Sequence, residues 1–142
     1  MSRLILSLLM ICGLFGVAHA EQSLSSKAPE GAKVYFIEPA DGATLPSTFT
    51  VKFGLSGMGV APAGIEKENT GHHHILVDMA ELPDMTQPLP ANDHVKHFGG
   101  GQTETTLTLE PGEHTLQLLL GNHNHVPHDK PVISDKITVT VE

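Results

Sequence analysis

The chain has 142 residues, a formal charge of −8, 39% hydrophobic residues, no tryptophan and one cysteine, Cys12. That length suits one domain. The acidic balance argues against nucleic acid or anionic lipid as partners, since both need a positive field, and a single cysteine cannot form a disulfide framework within the chain.

Residues 1–20 read as a secretory signal. Arg3 starts it, Leu4 to Val17 form an apolar run too short to span a bilayer comfortably, and Ala18-His19-Ala20 is a small-x-small cleavage site. Cleavage after Ala20 is favoured and leaves Glu21 first; cleavage after Ala18 would expose His19, whose amine and ring chelate copper. Leu9-Met10-Ile11 before Cys12 lack the small residues of a lipoprotein signal. The mature chain then holds seven lysines against sixteen acidic residues, a formal charge of −9, and no cysteine. It is expected in a bacterial periplasm or outside the cell, with no membrane insertion after cleavage.

Residues 21–32 (EQSLSSKAPEGA) are polar and read as a mobile leader. Strand-like segments follow, with turn signals between them. Residues 33–38 end at Pro39, and Asp41-Gly42 turns the chain. Residues 48–56 alternate, with Phe49, Val51, Phe53 and Leu55 on one face. A Gly/Pro-rich loop covers 57–71, and the next strand covers 72–78. Residues 79–103 carry three prolines and three consecutive glycines, so they read mostly as loop. Strands at 105–109, 114–120 and 136–141 complete the set. Six to seven short antiparallel strands predict an all-β, immunoglobulin-like sandwich over residues 33–142, without the Cys…Trp…Cys core of antibody domains.

Most of the ten histidines fall in three bursts: His72-His73-His74, His94 with His97, and His123, His125 and His128. With the strands named A (33–38), B (48–56), C (72–78), E (105–109), F (114–120) and G (136–141), the B–C, D–E and F–G connections share one end. All three bursts are expected there, and His114, after the E–F turn, at the other end near the usual place of a corner tyrosine.

His72-x-His74 puts two rings on one strand face, roughly 6–7 Å apart along the chain, and His123-x-His125 repeats the spacing. His73 shares its face with Ile75 and Val77 and reads as structural. Imidazole without thiolate suits Zn²⁺, held at about 2.0–2.1 Å in tetrahedral sites, or Cu²⁺ in tetragonal ones. The expected ligands are His72, His74, His97, His125 and His128 for one divalent transition metal, copper or zinc. Asp93, Asp129 and Met58 are weaker candidates. Gly99-Gly100-Gly101 reads as a tight bend rather than an anion cradle. No nucleophile elbow and no HExxH helix are present, so catalysis has little support.

The stretches FIEPADGATL, TVKFGLSGMGVAPAG, TGHHHILVD, HFGGGQTETTLTLEPGEHTLQLLLG and HVPHDKPVISDKITVTV resemble a bacterial secreted family, domain of unknown function 4399. The likeness covers residues 35–141. It implies an extracytoplasmic immunoglobulin-like domain and supplies no activity. The family's histidine positions fall on His72, His73, His74, His97, His114, His125 and His128; His94 and His123 fit that pattern less well. The expected biology is storage, delivery or sensing of the metal, with a periplasmic protein as a further partner. The alternatives are a binding or adhesion module that recognises a protein or glycan, and a proton sensor built on imidazole titration near 6.5.

Overall fold

The computed structural model describes residues 23–142; the secretory signal expected at residues 1–20 lies outside them. The chain forms β1 (Lys33–Glu38), β2 (Thr44–Leu45), β3 (Thr48–Ser56), β4 (Gly59–Val60), β5 (Thr70–Val77), β6 (Val95–His97), β7 (Glu104–Thr108), β8 (Gly112–Gly121) and β9 (Ile137–Val141). It is an all-β, immunoglobulin-like sandwich. One sheet has the order β1-β3-β7; the other runs β2-β9-β8-β5-β4, with β6 also on β5. The predicted strands A, B, C, E, F and G are β1, β3, β5, β7, β8 and β9, with ends shifted by up to two residues.

The alternating apolar positions bury one face of each sheet. Val34, Phe49, Val51, Phe53, Ile75, Val77, Leu107, Leu116, Leu118, Leu120, Val139 and Val141 make the inter-sheet core. Period-2 side-chain direction accounts for this, because residues i and i+2 share a face. β5 differs from the others: all of Gly71 to Val77 is buried. Its inner face meets the core. Its outer face, carrying His72, His74 and Leu76, is roofed by loops, and Leu76, Leu89, Val95 and Leu119 form a second cluster there.

Residues 79–103 are more than the predicted loop. Val95–His97 form β6, antiparallel to β5, with His97 opposite His74 and Val95 opposite Leu76. Three residues are too few to show a periodicity, so nothing in the pattern announces this strand. The pairing corrects the expected convergence. His94 enters β6 from the far end of β5, and its Nδ1 lies 2.9 Å from the Val77 carbonyl oxygen. His97, three residues on, stands opposite His74 in the middle of β5. The two residues of that burst therefore lie at different levels of β5, His94 at its end and His97 beside the His72-His74 pair.

The leader carries no strand or helix in its described part, residues 23–32. It is nevertheless tied to the β8–β9 loop. Asn122 Nδ2 donates to the Leu24 carbonyl, Ser25 Oγ donates to the Pro127 carbonyl, and Ala28 N donates to Asp129 Oδ1.

Candidate metal centre

Strand alternation aims His72 and His74 at the outer face of β5, one residue pair from its start. Antiparallel register then sets His97 of β6 beside His74. The β8–β9 loop folds back over the same corner, and the Leu89 amide donates to the His125 carbonyl, which fixes His125 above the pair. The rings of His72, His74, His97 and His125 all meet, with centroids 4.5–6.2 Å apart.

The nitrogen geometry is tighter still. His72, His74 and His97 each offer one ring nitrogen, and these three lie within 4.8 Å of one another. His72 Nε2 and His97 Nε2 are 3.2 Å apart. A tetrahedral ion with bonds of about 2.0–2.1 Å holds its nitrogens about 3.3 Å apart. Two ring nitrogens at this distance share either a hydrogen or an ion.

Two of the rings are buried and short of partners, whereas His97 is exposed and His125 half-buried, so the group opens to solvent on one side. His72 and His74 are fully enclosed. His72 Nδ1 and both nitrogens of His74 have no hydrogen-bond partner among the described residues. Burial, reinforced by the facing imidazoles of His125 and His97, lowers the His72 pKa to about 4. Burial, reinforced by His72, His97 and His125, lowers that of His74 to about 3. Burial and then His125 lower His97 too. These shifts favour the neutral ring, which keeps one lone pair for a cation. The group contains no carboxylate or thiolate.

Two glycines clear the space. A Cβ on Gly121 would stand 2.7 Å from His74 Cε1, and one on Gly99 would stand 2.5 Å from His97 Cε1. Any side chain at either position would displace a ring. Gly99 thus serves the site sterically, a role beyond the bend expected from the glycine run. Neither glycine was legible as part of the site, because nothing in a sequence says which ring will occupy the room a missing Cβ leaves.

The remaining histidines lie elsewhere. His128 is buried near His72, with Nε2 3.3 Å from the Thr70 carbonyl oxygen and Nδ1 without a partner among the described residues; its ring is not among the ring contacts of the four. His73 faces the core, its ring 4.6 Å from that of Phe53. His123 pairs with its neighbour Asn124. His114 is at the opposite end, bound to Asp78 and to the Glu110 carbonyl. Asp93 contacts Lys96, Asp129 holds the leader, and Met58 packs on the main core, so the three weaker candidates also lie outside the imidazole group.

Among solved structures, the X-ray structure of the endo-beta-1,4-mannanase from Thermotoga petrophila is similar at 21% identity and a TM-score of 0.47, over 78% of this chain and 20% of that one. This chain therefore spans about a fifth of that protein's length. No curated protein matches it. The family model described as domain of unknown function (DUF4399) matches residues 51–142, a span that holds all four rings of the group, and the chain belongs to that family.

Proposed function

We propose that this protein binds one divalent transition metal through His72, His74 and His97, with His125 as the fourth ligand, and holds it for storage, delivery or sensing in the bacterial periplasm. One observation carries the reading: three imidazole nitrogens from two strands lie within 4.8 Å of one another. The unpartnered buried nitrogens support it. Leaving a polar group buried and unpaired costs about 1–3 kcal/mol, a penalty that an ion would remove for one nitrogen of His74. Zinc comes first. The 3.2 Å separation of His72 Nε2 and His97 Nε2 is close to the tetrahedral spacing, and the three nitrogens, within 4.8 Å of one another, would draw in to close on the ion. Four imidazoles also close a tetrahedral ion. An enzyme keeps one position open for water or substrate, so the set favours holding over hydrolysis. The secretory signal read at residues 1–20 supports the compartment, and a protein that accepts or supplies the ion is the partner this biology requires.

The test is thermal unfolding of untagged mature protein with and without Zn²⁺. At a free concentration of 100 times Kd, an ion that binds the folded state alone adds about 2.7 kcal/mol, or about 10 °C in Tm for a domain of this size. His74→Ala abolishes that rise, whereas His114→Ala lowers stability and leaves the rise intact. If neither Zn²⁺ nor Cu²⁺ shifts the wild type, the metal reading is lost and a protein- or glycan-binding module takes its place.

A further inference from the structure

Three of the four rings stand on paired strands. The fourth does not. His125 belongs to the β8–β9 loop and has φ of 65°, a left-handed backbone that costs a residue other than glycine energy unless its surroundings impose it. Asn122 imposes it. This side chain is 1% exposed. Its Oδ1 accepts from the amides of Asn124 (2.9 Å) and Val126 (3.1 Å), on either side of His125. The His125 amide in turn donates to the Asn122 carbonyl at 2.9 Å. The other end of the same amide group looks away from the loop. Nδ2 donates to the Leu24 carbonyl at 2.9 Å and to Ser26 Oγ at 3.0 Å. One planar group therefore joins the turn that carries His125 to the leader. The join is doubled nearby, where Asp129 N donates to the Ser26 carbonyl and Asp129 Oδ1 accepts from Ala28 N.

Resting on the metal reading above, we propose that Asn122 is the positioning residue for His125, and that the leader segment Leu24–Ala28, clamped to Asn122 and Asp129, holds this imidazole in the ligand set. Release of the leader frees the loop. His125 then leaves the ion, water takes its position, and the ion stays on His72, His74 and His97. The four-coordinate site becomes one with an exchangeable position, the state from which an incoming ligand can capture the metal. The leader is thus the latch on metal exchange.

The experiment uses the full mature chain loaded with zinc. X-ray absorption counts the imidazoles on the ion, and competition with a chelating dye gives affinity. Asn122→Asp keeps the oxygen that accepts from the loop amides and replaces the donor to Leu24 with an oxygen that repels its carbonyl. Asp129→Ala loosens the leader at a second point without touching residues 122–126. Wild type should show four imidazoles. Both variants should show three plus an oxygen, with at least ten-fold weaker zinc binding and faster zinc transfer to the dye. Four imidazoles and wild-type affinity in either folded variant overturn the latch. Three imidazoles in the wild type remove His125 from the set and overturn it too, while leaving the three-strand-histidine site standing. No zinc on the wild type sinks the metal reading itself.

Discussion

His74 carries two ring nitrogens without a hydrogen-bond partner among the described residues, at a position with no exposure. A side chain kept for folding alone would not sit there, since each unpaired buried group costs on the order of 1–3 kcal/mol. His74→Leu, which exchanges the ring for an apolar group of similar bulk, should therefore leave the metal-free protein at least as stable as wild type, by up to about 1 kcal/mol, while eliminating the zinc-dependent rise in Tm. Loss of metal-free stability by several kcal/mol would show that the ring is structural. His114 is the opposite case. Its Nδ1 lies 2.7 Å from Asp78 Oδ2 and its Nε2 lies 2.8 Å from the Glu110 carbonyl oxygen. Both partners present oxygens, an arrangement that favours the protonated ring, with a hydrogen on each nitrogen. The Asp78 hydrogen bond, then that to Glu110, raises its pKa above the usual 6.5. A raised folded pKa contributes stability that is complete below the unfolded value and lost as pH climbs through the folded one. Denaturant titrations from pH 6 to 9 should show wild-type stability declining by on the order of 1 kcal/mol, discounted because Asp78 is partly exposed, and His114→Ala should lack that decline. Equal slopes for the two proteins would exclude the ion pair. The placing of His114 at the end away from the bursts was legible from the E–F turn before it. Its partner was not, because Asp78 reaches it through a left-handed residue at the end of β5, φ 54°, that no pattern announces.

At the level of elements, the site is a matter of register. β5 and β6 bring His74 opposite His97, and Gly99 two residues later leaves room for the His97 ring. Gly99 has no left-handed φ, so alanine fits its backbone. Gly99→Ala should push the His97 ring out of the group, weaken zinc binding by about ten-fold or more, and change unfolding free energy by less than about 0.5–1 kcal/mol, as a surface substitution does. Calorimetric titration beside a urea melt checks this, and unchanged zinc affinity would mean that His97 moves aside without cost. Strands β3, β8 and β9 were legible from large apolar residues at every second position, and β1, β5 and β7 from short β-rich runs bounded by turn signals. β2, β4 and β6 were not, since two or three residues hold no period. The proximity of His97 to His72 and His74 was therefore expected for the wrong reason: the shared end came from sandwich topology, whereas the contact comes from a hydrogen-bonded edge strand on the same sheet. The same topological reasoning placed His94 with them. A strand running back along β5 separates two residues only three apart.

In the whole molecule, every ring of the group comes from the larger sheet and its loops: β5, β6 and the β8–β9 connection. The smaller sheet β1-β3-β7 supplies the opposing half of the core and none of the four rings. This division follows from the outer face of β5 being roofed by loops, so that the His72 and His74 rings are enclosed without entering the inter-sheet core. The overall architecture was legible in the sequence, and the enclosure was not, since it depends on where two irregular loops fold back. β8 spans the distance between the two poles. It starts at the Glu110-Pro111-Gly112 turn, beside the His114 corner, and ends at Gly121 against His74. Ten residues at about 3.3–3.4 Å each make it roughly 30 Å long, several Debye lengths at physiological salt. A fluorophore, a surface tether or an added charge at the Glu110 turn is thus electrically silent at the imidazole corner, which makes that turn the natural handle for mounting the protein with its histidine corner facing solution.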